Sequence, residues 1–306
     1  MKAVQINNFG GPQEITTGEA ALNDLQPGEV LVRVEAASVN PLDLKMLAGY
    51  MQEFFPIAFP YIPGTDFSGL VESVGSDVTS LKPGDQVVGR TTPNLGGAFA
   101  QKLVIGASSL VTIPKGMTFE QAAALPTSFG TASKALFEVG DLTKAQRVLI
   151  HAGAGGVGSM AVQQAHQAGA YVIATASGKN MELVKRLGAD EVIDYHIQDF
   201  TQQRDIDLVL DTVGGETLEK SWMVLRPGGR IASLVEFGIQ PKGEQAGDFV
   251  FFSEAEKPLR TAMRMFSQGQ LQIVIDSIFP IAEARAALEK VAAGHARGKV
   301  LLRLSN

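Results

Sequence analysis

Residues 151–158 read "HAGAGGVG", and this stretch decides the fold. Its glycines follow the spacing G-x-G-x-x-G, between an apolar run "RVLI" and a helical pattern, which predicts a strand-to-helix turn. In such a turn the first glycine permits the tight bend, the second lets the backbone approach a pyrophosphate, and the third lets the helix press on the strand. Helix N-terminal amides then face the phosphates. A turn required for packing alone is the less favoured alternative. The predicted phosphate-binding residues are Gly153, Gly155, Gly156, Val157 and Gly158.

The sequence around this turn alternates between apolar runs and helical patterns. The runs "AYVIAT", "EVID", "IDLVLDT" and "RIASLV" predict a parallel sheet with helices on both faces. Before about residue 118, short β-branched runs broken by Pro-Gly turns predict a mostly antiparallel β unit. With 306 residues, the chain is long enough for these to be two domains.

The composition excludes several classes of function. A net charge of -6 without a basic cluster argues against a nucleic-acid partner. No apolar run is long enough to span a membrane and the N-terminus lacks a hydrophobic leader, which leads us to expect a cytoplasmic protein. The chain has no cysteine, so disulfides and thiolate-bound metals are excluded. Its four histidines show no metal-ligand spacing.

The end of the second strand of the predicted sheet indicates the cofactor. An acidic residue at this point would bind the adenosine ribose of NAD, but the sequence has Ala176. A small residue leaves room for a 2′-phosphate, and Ser177 and Lys179 can donate hydrogen bonds to it. This pattern favours NADPH. In the alternative, both residues begin the next helix and Lys179 is solvated.

Together, these features resemble the medium-chain dehydrogenase/reductase superfamily, specifically its zinc-free quinone oxidoreductase branch, which is also called zeta-crystallin-like. The resemblance covers nearly the whole chain and rests on "EVLVRVEAASVNPLDLKMLAGY", "IPGTDFSGLVESVGSDVTSLKPGDQVVG", "AAALPTSFGTA", "HAGAGGVG", "LGADEVIDY", "DLVLDTVGG" and "GHARGKVLL". It implies an α/β protein with a GroES-like β-rich catalytic domain, residues 1–118 completed by 260–306. A Rossmann doubly wound parallel sheet, residues 119–259, would bind NADP. The resemblance also implies ligands in the cleft between the domains and a homodimer or homotetramer.

The resemblance also shows where this chain departs from its zinc-dependent relatives. Where those relatives have Cys and His-Glu at the catalytic metal, this sequence has Asn40 and Thr65-Asp66. Asn, Thr and a single Asp do not form the ligand set that zinc prefers, so no metal site is expected.

The resemblance assigns further residues to the site, each with a simpler alternative. On the substrate side it places Asn40, Asp43, Lys45 and Tyr50. In the alternative for Asp43 and Lys45, they pair with each other or with the backbone. Asn40 would hold the carboxamide or the substrate oxygen, unless it is only a turn residue before a proline. Tyr50 would donate to the carbonyl oxygen or form an aromatic wall, unless it is an ordinary loop tyrosine. The implied cofactor contacts are Thr131, Tyr195, Phe237, Gly238 and Lys299. The alternatives are a helix-start hydroxyl for Thr131, core packing for Tyr195 and a solvated tail residue for Lys299.

These features predict an NADPH-dependent, zinc-independent reductase that transfers hydride to a quinone or an α,β-unsaturated carbonyl. Such electron-poor acceptors need less activation than simple alcohols or aldehydes. Two alternatives remain open at this stage. One is a zinc-free alcohol or aldehyde oxidoreductase, and the other is an NADPH-binding protein without turnover.

Overall fold

The structure is a computed structural model that describes residues 1–305. The chain forms two compact units, unit 1 from residues 1–127 and 253–306 and unit 2 from residues 128–252. Unit 2 is therefore shorter at both ends than the domain predicted over 119–259. The physical reason is packing, because the helix at 119–123 lies on the sheet of unit 1 and the helix at 256–267 contacts another strand of that unit.

The first part of unit 1 is rich in strands. At the start of the strand over 29–39, every second residue is a buried valine. This is the period-two pattern of a strand with one face in the core. The elements are β1 (Lys2–Gln5), β2 (Thr16–Glu19), β3 (Glu29–Val39), α1 (Pro41–Leu47), β4 (Asp66–Val74), β5 (Gln86–Arg90), β6 (Lys102–Gly106), β7 (Leu110–Thr112) and α2 (Phe119–Ala123).

Unit 2 alternates between strands and helices. Its first helix begins at the end of unit 1 and continues into a π-helical turn over Lys134–Val139. The elements are α3 (Pro126–Ser133), β8 (Arg147–Ile150), α4 (Gly156–Gln167), β9 (Tyr171–Ala176), α5 (Met181–Arg186), β10 (Glu191–Asp194), β11 (Ile206–Asp211), α6 (Gly215–Ser221), β12 (Leu225–Ser233) and β13 (Ala246–Phe249).

The last part of the chain returns to unit 1. It contributes α7 (Glu256–Ser267), β14 (Ile275–Pro280), α8 (Ala284–Ala292) and β15 (Lys299–Arg303). The large sheet of unit 1 has the order β14-β15-β3-β4-β5-β7, and β6 also pairs with β3. The β14–β15 pair is parallel and the other pairs are antiparallel. The core between this sheet and its helices is built around Met46, Phe67 and Phe99.

The sheet of unit 2 has the order β10-β9-β8-β11-β12-β13, and every pair is parallel. The strand order reverses at β8, because β9 lies on one side of it and β11 on the other. Ligands of open α/β sheets bind beyond the carboxyl ends of strands at such a point. The predicted parallel sheet and the predicted β-rich unit are confirmed. Among residues 1–305, no helix has the length and apolarity that a bilayer span requires.

Candidate functional site

The glycine turn follows β8 directly and leads into α4. Gly155 is the N-cap residue of α4 and makes no side-chain cap hydrogen bond. The first backbone amides of a helix have no partner within it, so those of Gly156, Val157 and Gly158 are available to an anion. Residues 155–157 are only partly buried. The turn thus combines the amides and the exposure that binding a pyrophosphate needs.

The three glycines are required for different reasons. A Cβ on Gly158 would lie 2.2 Å from the carbonyl oxygen of Ala152, and a Cβ on Gly153 would lie 2.9 Å from the Cβ of Ala174. A Cβ on Gly155 would meet only the Ala152 oxygen, at 3.2 Å, which leaves space on its other side. The tight bend itself is at Ala152, whose φ is 51°, and this differs from the role predicted for Gly153.

His151 connects the turn to two neighbouring elements. Its Nε2 lies 2.9 Å from the Ser221 hydroxyl, which itself donates to the carbonyl of Thr217. Ser221 therefore accepts from Nε2–H, and Nδ1 accepts from the Thr175 hydroxyl at 3.3 Å. Thr175 also accepts from the backbone amide of Ala152, at 3.1 Å, and so holds the bend. This network was not predicted from the sequence, although polar residues at the ends of adjacent parallel strands were the available signal.

Burial keeps His151 neutral. Desolvation lowers its pKa from 6.5 to about 4, although the nearby Asp211 opposes the shift. Because the folded-state pKa lies below the unfolded value, His151 contributes stability above about pH 6.5 that is lost as the pH falls toward 4. The size of this contribution is about 3 kcal/mol.

We therefore expect His151→Asn to remove this pH-dependent contribution. The difference in unfolding free energy between the two chains should be largest at pH 7 and shrink by about 3 kcal/mol at pH 4. Urea unfolding of the unmodified protein and of the variant, at a series of pH values, measures this difference. Subtracting the unfolding free energy of the variant cancels the contributions of other titrating groups, such as the buried Asp43 in unit 1. A difference that does not change with pH would contradict a neutral, buried His151.

The end of β9 is where the cofactor is predicted to be selected. Ala176 is buried at the strand end, Ser177 is partly buried and Lys179 is exposed. The Ser177 hydroxyl accepts from the side-chain amide of Asn180 at 3.1 Å. An unpredicted acid lies beside this loop, because Oδ2 of Asp194, at the end of β10, is 2.7 Å from the place of a Cβ on residue 178. A carboxylate here weakens the attraction that Lys179 provides for a phosphate.

The other predicted contacts of unit 2 lie on different elements. Thr131 is buried inside α3, so it is not the helix-start hydroxyl of the simpler alternative. Tyr195 follows β10 and is half exposed, with its ring 4.3 Å from that of His196. Phe237 stacks on Phe249, at 4.0 Å between ring centroids, in the loop after β12. Gly238 follows it and is exposed. These cofactor contacts stay predictions.

In unit 1, the pairing of four strands brings polar residues together at one end of the sheet. Val300 of β15 pairs with Val39, so Lys299 lies beside Asn40, which follows β3. On the other side of β3, Asp66 pairs with Ser38, and Arg90 of β5 pairs with Asp66. We call Lys299, Asn40, Asp66 and Arg90 the polar belt.

Hydrogen bonds and one ion pair connect the polar belt. Lys299 Nζ donates to Asn40 Oδ1 at 2.6 Å and to the carbonyl of Val39 at 3.1 Å. Asn40 Nδ2 donates to Asp66 Oδ2 at 3.0 Å. Asp66 Oδ1 accepts from the Thr127 hydroxyl at 2.7 Å and lies 3.8 Å from Arg90 Nε. The amide of Asn40 is therefore occupied inside the protein, which limits its predicted role as a ligand for the carboxamide or substrate.

Burial changes the ionisation of this region. Asp43 accepts from the backbone amide of Asn40 at 2.7 Å, and burial raises its pKa to about 7. Desolvation lowers the pKa of the Lys299 ammonium, while the carboxylates of Asp66 and Asp43 oppose that shift. Lys299 is 5% exposed, so it is not a solvated tail residue. Its predicted contact with the cofactor stays a prediction.

Tyr50 is the exposed member of the predicted substrate side. It follows α1, and its backbone amide donates to the carbonyl of Lys45 at 3.0 Å. Its side chain is 80% exposed, which leaves the ring and hydroxyl accessible to a ligand. Lys45 is partly buried on α1.

The residues at the zinc position do not fit a metal ion. Asn40, Thr65 and Asp66 are buried, and Thr65 donates to Asp66 Oδ1 at 3.2 Å. The carboxylate of Asp66 already accepts hydrogen bonds from Asn40 and Thr127, and a lysine ammonium contacts the oxygen of Asn40. Within residues 1–305, no three His, Asp or Glu side chains are grouped to hold a metal.

Comparisons with known proteins agree with this architecture. Residues 26–115 match the family model described as the alcohol dehydrogenase GroES-like domain. Residues 187–302 match the model described as zinc-binding dehydrogenase. A quinone oxidoreductase structure from Coxiella burnetii superimposes with a TM-score of 0.92 at 32% identity, covering 100% of this chain and 99% of that one.

Two relatives match over 99% of this chain. The chloroplast envelope quinone oxidoreductase homolog of Arabidopsis thaliana is 32% identical, with 98% of its length covered. The mitochondrial NAD(P)H oxidoreductase RTN4IP1 of Danio rerio is 31% identical, with 91% covered. Both are organellar proteins by name, so the expectation of a cytoplasmic location was wrong. That expectation rested on the absence of a leader, which does not establish a location.

Proposed function

The chain belongs to the quinone oxidoreductase branch of the medium-chain dehydrogenase/reductase superfamily, and we propose that it is an NADPH-dependent reductase of quinones or α,β-unsaturated carbonyls. Its relatives support the coarser statement that it is an oxidoreductase using a nicotinamide cofactor. The observation that carries the finer proposal is the uncapped start of α4 next to a strand end without an acid, at Ala176.

Unit 2 supplies the binding of the cofactor. The free amides of α4 receive the pyrophosphate, and the His151–Thr175 network keeps the bend at Ala152 in place. Ser177 and Lys179 donate to the 2′-phosphate. When bound, the reduced nicotinamide supplies the hydride.

Unit 1 supplies the substrate side. Tyr50 has an exposed hydroxyl that donates a hydrogen bond to the oxygen on which negative charge develops. The proton that completes reduction comes from Tyr50 or from solvent. Asn40 is held by Lys299 and Asp66, so it orders the start of α1 and the segment that leads to Tyr50. Most of the rate enhancement is assigned to proximity and orientation.

Cofactor oxidation against a panel of acceptors tests this proposal. NADPH and NADH are each mixed with a benzoquinone, a cyclic enone and an aldehyde, and absorbance at the nicotinamide band is followed. We expect oxidation of NADPH with the quinone or the enone. Reduction of NADP⁺ by simple alcohols, without quinone or enone turnover, would instead support an alcohol oxidoreductase. Tight NADPH binding without oxidation by any acceptor would support a binding protein.

The preference for NADPH has its own test. Lys179→Ala is expected to raise the KM for NADPH about tenfold and leave that for NADH nearly unchanged, because one exposed charge-assisted contact is lost. Asp194→Asn should increase the preference for NADPH, since it removes a negative charge beside the loop. Steady-state kinetics at one ionic strength measure both. Lys185→Ala, on the exposed side of α5, is the matched control. Equal effects of Lys179→Ala on the two cofactors would contradict the assignment.

A further inference from the structure

The polar belt contains a positive charge beside Asn40, one of the residues that stand where zinc-dependent relatives have metal ligands. Asn40, Thr65 and Asp66 stand at the positions of the metal ligands, and their side chains meet around the Asp66 carboxylate. The ammonium of Lys299 lies 2.6 Å from Asn40 Oδ1. Asn40, Thr65, Asp66 and Lys299 are each at most 5% exposed.

The charges of this region need a cation. Two carboxylates, those of Asp43 and Asp66, lie among buried groups, and the Arg90 guanidinium, 3.8 Å from Asp66, supplies one positive charge for the two. Buried carboxylates are costly unless opposite charge and hydrogen bonds compensate them. Lys299 is the second cation of the belt, and its Nζ is held by Asn40 and by the backbone of Val39. Strand pairing therefore fixes its place, because Val300 and Val39 are paired.

We propose that Lys299 is a positioning residue that replaces the metal ion, supplying from the chain itself the charge that balances Asp66 and fixes Asn40. A divalent cation beside this ammonium would be repelled strongly at a separation of a few ångströms. The lysine thus supplies the positive charge that a metal ion would supply, and it excludes metal from the site. This role differs from the cofactor contact that the resemblance implies for Lys299.

Two nearly isosteric variants test the proposal. Asn40→Asp adds a carboxylate next to Asp66 while Lys299 stays in place. The double variant Asn40→Asp, Lys299→Met adds the same carboxylate and removes the ammonium, with a side chain of similar length. Binding of Co²⁺ is measured for both by isothermal titration and by the visible absorption of the bound ion. If Lys299 had a structural role alone, its removal would not produce the visible absorption of bound Co²⁺.

We expect the double variant to bind Co²⁺ at least about 100-fold more tightly than the single variant, because only the double variant lacks the competing cation. Asn40→Asp with Lys299→Arg is the matched control, and it should bind as weakly as the single variant. Equal affinity in all three chains, or no binding in any, would overturn the proposal. If the double variant is unfolded without metal, Co²⁺ should restore its native circular dichroism, and failure to do so would equally overturn it.

Discussion

Gly158→Ala is expected to reduce the affinity for NADPH at least about 100-fold, which corresponds to about 2.7 kcal/mol or more. The added Cβ would lie 2.2 Å from the carbonyl oxygen of Ala152 and 3.0 Å from the Cα of Gly153. Both contacts are to backbone, so a side-chain rotation cannot relieve them, and the turn must move away from α4. The amides that receive the pyrophosphate then lose their common orientation.

Fluorescence titration with NADPH measures this loss. Urea unfolding, followed through Trp222, reports separately on unit 2, because this buried residue is the only tryptophan of the chain. Gly155→Ala is the comparison variant, since its Cβ would meet a single atom at 3.2 Å. It should fold normally and still bind NADPH more weakly, because the new methyl group occupies the approach of the pyrophosphate. A Gly158→Ala protein with normal affinity would refute the assigned packing and binding roles.

Asp66→Ala is expected to destabilise unit 1 by about 3–5 kcal/mol, the usual cost of removing one partner of a buried ion pair. Asp66 is fully buried. Its carboxylate accepts from Asn40 Nδ2 and from both the amide and hydroxyl of Thr127, and it lies 3.8 Å from Arg90. The substitution leaves these donors without an acceptor and the guanidinium without its counter-charge.

Urea unfolding by circular dichroism, with hydrogen exchange of the β3–β5 amides, measures this effect in unit 1. Glu216→Ala is the control, because its pair with Lys220 on α6 is mostly exposed. That change should leave the stability nearly unchanged, because exposed i,i+4 pairs contribute little. If both variants were equally stable, the polar belt would be unimportant for the fold.

The glycine turn was predictable from sequence because its spacing and its strand-helix setting are both local. The residue at the bend was not, because alanine rarely adopts a positive φ and only the Thr175 contact shows how it is held there. The parallel sheet was also predictable, since buried parallel strands give continuous apolar runs.

The polar belt was predictable only in part. Asn40 and Asp66 were recognised through the resemblance, but their mutual hydrogen bond depends on the register between β3 and β4. A tail lysine is usually solvated, so nothing in the sequence around Lys299 indicates its burial. The predicted domain boundaries differ from the bounds of the two units for a similar reason, because a helix pattern does not reveal the sheet on which the helix packs.

The discontinuity of unit 1 has a consequence for synthesis on the ribosome. Unit 2 is made from one continuous segment, whereas β15 inserts between β14 and β3, in a sheet whose strands other than β14 were synthesised much earlier. Asn40 and Lys299 are 259 residues apart in sequence. Vectorial synthesis therefore allows unit 2 to fold while Asp66 still lacks its distant cation, and residues 36–39 of β3 keep an unpaired edge until β15 emerges. A nascent chain stalled before β15 should expose that edge to chaperones.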